Sequence, residues 1–299
     1  MKLAAVDIGS NAIRLQITNV TKFNGQINFK RVEYVRFPLR LGNDVFNHKM
    51  ISPANEAKFI KLMQAFKLMI DLYEVDDYMV CATSAMRESK NGRDIAAKVL
   101  AQHGLKINII DGEKEAFIIN KALWSYIDDK TYLHIDVGGG STELNLYVNK
   151  EKIASKSFKI GSVRTLQTTQ NNNAQVWGKM QEWIQTNMKL KKLGLISAIG
   201  TGGNINKIFD MGATKKSKRV ISIEKIEKVI DHISQYSLEE RINLLQLNPD
   251  RADVIIPASN IYLTAMKAAK AKRMLVPDVG LKDGLMTVLF ERNQEKFGL

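Results

Sequence analysis

Twice in this chain of 299 residues an aspartate stands at the end of an apolar strand and a glycine turn follows it. The first instance is Val6-Asp7-Ile8-Gly9-Ser10-Asn11, and the second is Ile135-Asp136-Val137-Gly138-Gly139-Gly140-Ser141-Thr142-Glu143. Glycine reaches positive φ at no steric cost, so such turns can aim backbone N–H groups into one concave site. That chemistry suits phosphate, with Gly9, Ser10 and Asn11 as one set of donors and Gly138, Gly139, Gly140, Ser141 and Thr142 as the other. A carboxylate beside the turn would repel phosphate unless a metal ion or a bound water lies between them. Asp7 and Asp136 are therefore expected to serve a ligand or a metal; the alternative is that each caps its own turn. Gly202 and Gly203 precede a helix, as in a phosphate cradle, although tight helix–strand packing would demand the same glycines.

The elements that must position these residues alternate between strand and helix. Residues 2–8 and 12–20 read as a hairpin, and 26–37 as further strand. Ser52-Pro53 opens an amphipathic helix with Phe59, Leu62, Met63, Phe66, Met69, Ile70 and Tyr73 on one face. A strand at 78–82, a helix at 92–103 closed by Gly104, a strand at 106–110 and a helix from Asp111-Gly112 to about Trp124 follow. The pattern restarts at Tyr132 with strands at 132–137, 143–149 and 152–159, a helix over 175–189 and a strand at 194–199. Ser222 is expected to cap a helix, Ser237-x-x-Glu240 to form a capping box, and a longer helix to span 252–270. Two α/β domains of similar plan are predicted, 1–127 and 128–299, with a terminal helix at 285–299 able to pack back onto the first.

Composition narrows the partners. A hydrophobic share of 45% and a charged share of 25% are ordinary for a globular protein. No apolar run nears the roughly 20 residues needed to span a bilayer, so no membrane role is expected. The single cysteine, Cys81, lies in an apolar strand-like run, which suggests a buried thiol and a reducing, cytoplasmic compartment. The net charge of +13 favours polyanions. Lys215, Lys216, Lys218 and Arg219 form its densest cluster, a candidate polyanion track, and a second lies at Lys267, Lys270, Lys272 and Arg273. Neither is interleaved with aromatics and no zinc-finger or RRM pattern occurs, so nucleic-acid binding is not expected. His48, His103, His134 and His232 show no ligand spacing and receive no role.

Six segments in order carry a family resemblance. They are Asp7-Ile8-Gly9-Ser10-Asn11, Thr83-Ser84-Ala85-Met86-Arg87, Asp111-Gly112-Glu113-Lys114-Glu115-Ala116, Asp136 to Glu143, Gly200-Thr201-Gly202-Gly203 and Gly280-Leu281-Lys282-Asp283-Gly284. Together they resemble the exopolyphosphatase / guanosine pentaphosphate phosphohydrolase family, within the superfamily of acetate kinase, sugar kinases, heat-shock chaperone ATPases and actin. The resemblance implies two ribonuclease-H-like domains around a cleft. It also implies release of terminal phosphate from polyphosphate or pppGpp with Mg²⁺ or another divalent cation, and often a homodimer. By itself Glu115 reads as an acid favoured by a helix N-terminus; the resemblance makes it the residue that activates or orients water. It further implies metal and water handling by Asp136 and Glu143, and contact of Arg87 with the scissile phosphate.

Four departures bear on substrate and rate: Lys114 where another acid is common, Ala12 for a serine, Asn204 for a threonine and Lys282 for an arginine. The net charge ranks polyphosphate ahead of pppGpp. The rival expectations are a catalytically weak protein that binds (p)ppGpp or polyphosphate to regulate, and, from the superfamily alone, a phosphotransferase.

Overall fold

The computed structural model describes residues 1–299 except 168, 169, 191, 192, 195, 214–217, 298 and 299. In chain order it contains β1 (Lys2–Ile8), β2 (Ile13–Phe23), β3 (Gln26–Phe37), α1 (Leu41–His48), α2 (Pro53–Leu72), β4 (Asp77–Ala82), α3 (Ser84–Glu88), α4 (Gly92–His103), β5 (Ile107–Ile109) and α5 (Gly112–Leu123). There follow β6 (Thr131–Val137), β7 (Thr142–Val148), β8 (Glu151–Phe158), α6 (Arg164–Gln167), α7 (Gln170–Leu190), β9 (Ser197–Thr201), α8 (Gly203–Gly212), β10 (Val220–Ser222) and α9 (Ile223–Ser234). The last elements are α10 (Leu238–Asn243), α11 (Pro249–Ala252), α12 (Ile255–Ala268), β11 (Arg273–Leu275) and α13 (Leu281–Arg292). Among the described residues no helix is long and apolar enough to cross a membrane.

The chain divides into two compact units, Met1–Ala122 with Val279–Leu299, and Leu123–Asp278. In the first, the strand order is β3-β2-β1-β4-β5, with β1–β3 an antiparallel meander and β4 and β5 parallel to β1. The second has the order β10-β11-β9-β6-β7-β8: again a meander, β6–β8, and parallel strands β9 and β11 on the other side of its first strand. Each sheet is the ribonuclease-H-like arrangement, and β10 adds an antiparallel edge to the second.

The central strand β1 is largely apolar because it is covered on both faces. In β1, Leu3, Ala4, Ala5, Val6 and Ile8 are fully buried. Helix α2 starts where Ser52 accepts the Asn55 N–H, and buries Phe59, Met63, Phe66 and Ile70 along one stripe. Ser222 and the Ser237–Glu240 box cap α9 and α10 as their sequences predict.

Two differences from the sequence reading have physical causes. The helix expected over 252–270 is α12, which begins only at Ile255; α11 is a separate short turn before it. A continuous helix would place Pro257 in its interior, where it lacks the N–H owed to Asp253; as the third residue of α12 it sits in a first turn that needs none. Helix α1 has no counterpart in the sequence reading, which assigns nothing between residue 37 and Ser52. It is short and anchored by tertiary contact: Arg40 caps it in the left-handed region, and the Gly42 N–H donates to the Ser10 carbonyl at 2.8 Å.

Candidate active site

In the first unit the β1–β2 turn is closed by the Gly9 N–H donating to the Ala12 carbonyl (3.2 Å). Its outer carbonyls are held too, Ser10 by Gly42 and Asn11 by the Arg40 N–H (3.0 Å). The Ser10 and Ser84 hydroxyls share a hydrogen bond of 2.8 Å, and the Thr83 N–H donates to the Ile8 carbonyl (3.1 Å). These bonds bring the Asp7–Asn11 turn together with the segment carrying Arg87. Asp7 lies directly across the strands from Arg14, whose Nη1 donates to its Oδ2 at 2.9 Å. Burial opposes the charge on Arg14, but Asp7 and Tyr34 outweigh it and raise the guanidinium pKa. Asp7 thus already has a cation beside it.

Glu115 is buried in the first turn of α5, and its N–H donates to the Asp111 carbonyl (3.0 Å). The Asp111 carboxylate takes the Lys114 N–H at 2.7 Å, satisfying an N-terminal donor of that helix. Arg87 donates from Nη1 to the Ile110 carbonyl (2.6 Å), and the same nitrogen lies 3.8 Å from Glu115 Oε2. Lys114 is exposed, its ammonium 5.3 Å from the centroid of the Phe117 ring. The Gly280–Gly284 segment starts α13, where the Gly280 N–H donates to Asp283 Oδ2 (2.8 Å). At Gly284 a Cβ would fall 2.0 Å from the Ile118 carbonyl oxygen, so glycine is what lets α13 lie against α5. Lys282 pairs with Asp283 at 2.6 Å.

In the second unit the β6–β7 turn repeats the first: the Gly138 N–H donates to the Ser141 carbonyl (3.0 Å). Here the residue across from Asp136 is Glu143, so two carboxylates share one face. The carbonyls of Gly138, Gly139 and Gly140 are taken by the N–H groups of Ser162, Val163 and Arg164 and by Arg164 Nε, the last at 2.6 Å. Gly161 packs so closely that its Cβ would lie 2.6 Å from the Gly139 carbonyl. Because each peptide is planar and trans, the N–H groups of Gly139, Gly140 and Ser141 point away from that anchor. Three donors on one side make an anion cradle.

The carboxylates are also placed. Thr201 Oγ1 donates to Asp136 Oδ1 at 2.6 Å, and Ser157 Oγ to Glu143 Oε1 at 2.9 Å. Thr142 is fully buried and spends its hydroxyl on the Ile160 carbonyl (2.7 Å), so its side chain is not presented to a phosphate. Gly202 has φ +114°, and a Cβ there would sit 3.0 Å from both the Val137 carbonyl and the Tyr262 hydroxyl oxygen. Gly203 opens α8 with Arg251 Nη2 3.1 Å from where its Cβ would be. The Tyr262 hydroxyl donates to the Thr201 carbonyl, and burial together with Asp136 raises its pKa well above 10.

Of the expected basic track, Lys215 and Lys216 lie outside the described residues. Lys218 is exposed. Arg219 is engaged within its own unit, donating to the Val276 carbonyl (2.7 Å) and Asn206 Oδ1 (2.9 Å), with its guanidinium over the Phe209 ring. Among the described residues no group of three or more His, Cys, Asp and Glu side chains could hold a metal. Mg²⁺ needs only one or two protein carboxylates beside waters and substrate phosphates. The facing pair Asp136 and Glu143 fits that demand; Asp7, paired with Arg14, fits it less well.

Sequence reasoning named Ser84, Thr201 and Gly284 within the family segments without giving them a role, did not single out Gly161–Arg164 or Tyr262, and assigned nothing to His134. The last left a trace, being the one imidazole inside an otherwise apolar strand start, Tyr132 to Ile135. Burial lowers its pKa to about 3, so the ring is neutral at pH 7.

The chain is similar to several known proteins over most of its length. The chain is 31% identical over 320 residues to a bifunctional 3-dehydroquinate synthase/phosphatase of Fusobacterium nucleatum, a match covering 98% of this chain and 47% of that relative. The chain thus spans about half the length of that protein. A putative exopolyphosphatase of Haemophilus influenzae is 23% identical, with 98% of this chain and 92% of the relative covered. A guanosine-5'-triphosphate,3'-diphosphate pyrophosphatase of Aliivibrio fischeri is also 23% identical, with 94% and 58% covered. The fold is shared with the crystal structure of an exopolyphosphatase from Cytophaga hutchinsonii (TM-score 0.83, 18% identity, 98% of each chain covered). It is shared as well with the Aquifex aeolicus Ppx/GppA protein (TM-score 0.74, 23% identity, 97% of this chain and 98% of that one). The model of the Ppx/GppA phosphatase family matches residues 20–293, and the chain belongs to that family.

Proposed function

We propose that this protein hydrolyses terminal phosphoanhydride bonds, releasing orthophosphate from inorganic polyphosphate, pppGpp or both, with a divalent cation. The observation that carries this reading is the triple-glycine turn, whose carbonyls are tied to Ser162–Arg164 while its N–H groups face the other way. Names of relatives support the substrate class: exopolyphosphatases and a pppGpp pyrophosphatase are among them.

In this reading the N–H groups of Gly139, Gly140 and Ser141 take phosphate oxygens. Asp136 and Glu143 would hold the cation, which when bound supplies neutralisation of phosphate charge. Glu115 orients a water and takes its proton as the water oxygen bonds to the terminal phosphorus. The bridging P–O bond breaks and the shortened chain leaves with the electron pair. Arg87, beside Glu115, stabilises the transferring group. With a loose transition state, positioning and charge neutralisation supply most of the rate. Mg²⁺ is the cation this reading favours and the cytoplasm the compartment; the buried Cys81 thiol, pushed up to about 12, is consistent with a thiol that stays reduced. A homodimer is carried over from the family resemblance. Polyphosphate ranks first because a long polyanion gains most from a net charge of +13.

The test is phosphate release from polyphosphate, pppGpp and ATP, each with Mg²⁺ and with EDTA. Cation-dependent release, fastest from polyphosphate, is expected. Faster release from pppGpp would reverse the ranking. Tight calorimetric binding with no release would replace the hydrolase with a regulatory binder, and phosphate appearing only on an added acceptor would make it a phosphotransferase.

A further inference from the structure

Two polar rows run side by side across the second sheet. The strand registers place Ser157, Glu143, Asp136 and Thr201 in one row, on β8, β7, β6 and β9. Two residues along, the same registers place Ser155, Asn145 and His134 in the next row. Side chains two residues apart on a strand share a face, so both rows lie on the same side of the sheet. His134, Asn145 and Thr201 are fully buried there.

The second row is hydrogen-bonded end to end and joins the first. Ser155 Oγ donates to Asn145 Oδ1 (2.7 Å), and Asn145 Nδ2 lies 3.1 Å from His134 Nδ1. His134 Nε2 lies 2.8 Å from Thr201 Oγ1, which is 2.6 Å from Asp136 Oδ1. Only one assignment of protons satisfies every link. Thr201 Oγ1 donates to Asp136 Oδ1, so the single threonine proton is spent there. Thr201 Oγ1 must then accept, which puts the imidazole proton on Nε2. Nδ1 is left as a lone pair that accepts from the Asn145 amide, whose oxygen is accordingly free to take the Ser155 hydroxyl.

We infer that His134 is a positioning residue for the carboxylate row: its Nε2–H fixes the Thr201 hydroxyl so that the threonine proton is always directed at Asp136 Oδ1. The plane of the Asp136 carboxylate is thereby set by a chain that reaches back to Ser155. Outer hydrogen bonds of this kind orient groups that hold metals, and losing one typically costs 10–100-fold in affinity or activity. The functional half of the inference rests on the reading of Asp136 as a cation holder; the proton assignment stands apart from it.

The decisive measurement is nitrogen-correlated NMR of the full chain labelled with ¹⁵N-histidine, at pH 7 and without substrate. The four histidines are told apart by the signal lost in His134→Gln. A neutral Nε2–H tautomer is expected for His134. A neutral Nδ1–H tautomer or an imidazolium would overturn the inference, because either breaks the chain of donors at Asn145. Phosphate release then reads the consequence. His134→Phe should lower kcat by about tenfold, raise the Mg²⁺ concentration for half-maximal rate, and leave substrate KM within about twofold. His134→Gln, whose amide can donate from the same place, should recover most of that loss. Thr201→Val should match His134→Phe, and the double variant should be no worse than either. Unchanged kcat in His134→Phe, or equal losses in the Phe and Gln variants, would refute a positioning role. If the wild-type protein releases no phosphate, the hydrolase reading fails while the tautomer still decides the proton assignment.

Discussion

Arg87 holds the strand end ahead of α5 and the acid within it at once: Nη1 donates to the Ile110 carbonyl at 2.6 Å and lies 3.8 Å from Glu115 Oε2. The longer distance is an ion pair without a hydrogen bond. The Glu115 carboxylate thus has the Arg87 cation beside it. Glu115→Gln keeps the shape and removes the charge. We expect phosphate release to fall by about 10²–10⁴, the usual worth of a positioned acid or base, with the urea midpoint little changed. Turnover within about twofold of wild type would remove Glu115 from the chemistry.

Arg87→Met separates the two contacts of that arginine from its charge. Leaving the Ile110 carbonyl without this donor should cost about 1–3 kcal/mol in urea unfolding. Turnover should fall further than the stability loss explains, because the transferring group also loses a cation. A variant that is less stable yet hydrolyses at the wild-type rate would leave Arg87 a purely structural role.

Gly284 sets how closely α13 approaches the helix that carries Glu115. A methyl at Gly284 would meet the Ile118 carbonyl oxygen at 2.0 Å, whereas one at Gly280 meets nothing within 4 Å. Gly284→Ala should destabilise by about 1–3 kcal/mol, the range for overpacking, and lower kcat by displacing α5. Gly280→Ala, in the same motif, should be near neutral. Equal effects on thermal unfolding at the two positions would show that backbone freedom, and not close approach, explains the glycines.

Asp77 ties the start of β4 to the end of α13 through Arg292 and Asn293, the latter at 2.6 Å. Burial tends to raise its pKa, but the bonds from Arg292 and Asn293 outweigh that and lower it below the ordinary aspartate value. A carboxylate with a depressed folded pKa contributes stability that is complete above its unfolded pKa, about 4, and is lost as pH falls through the folded value. Arg292 is half exposed, so solvent screening limits the contribution to about 1 kcal/mol. Asp77→Asn should be less stable than wild type at pH 7, and the gap should narrow as pH falls below about 4 and close as it passes through the depressed folded-state pKa. A gap that persists in acid would mean that the carboxylate charge is not its source.

The two aspartates should part company when metal is varied. Asp136→Asn should raise the Mg²⁺ requirement for phosphate release by about 10–100-fold. Asp7→Asn leaves Arg14 without its carboxylate partner, so it should lose stability with an unaltered Mg²⁺ requirement. Matching shifts in both variants would give Asp7 a share of the cation.

The fold was legible where burial follows local pattern. Phe59, Met63, Phe66 and Ile70 declared α2, and the apolar run from Leu3 to Val6 declared a central strand. The recurrence of the Asp–Gly turn announced the repeated sheet plan. What escaped is what depends on distant partners. Helix α1 exists because Gly42 meets Ser10, and no local propensity encodes that bond. Gly161 and Arg164 matter only because they reach the glycine turn from some twenty residues away. His134 was dismissed for want of a ligand spacing, which is a rule about metals. Its role depends on cross-strand register, and a lone strand does not reveal its register.

The turns themselves carry a further consequence. Each aspartate faces the residue seven positions later, arginine for Asp7 and glutamate for Asp136. On one shared backbone frame, that single position sets the local electrostatics: the first pair joins an acid to a base and the second sets two acids face to face. Duplicated halves of such a protein need not diverge in shape to divide their labour. On the proposed reading, a change at one facing position turns a latch into a cation holder, so Arg14 and Glu143 are the pair to exchange when asking how the two turns divide their labour.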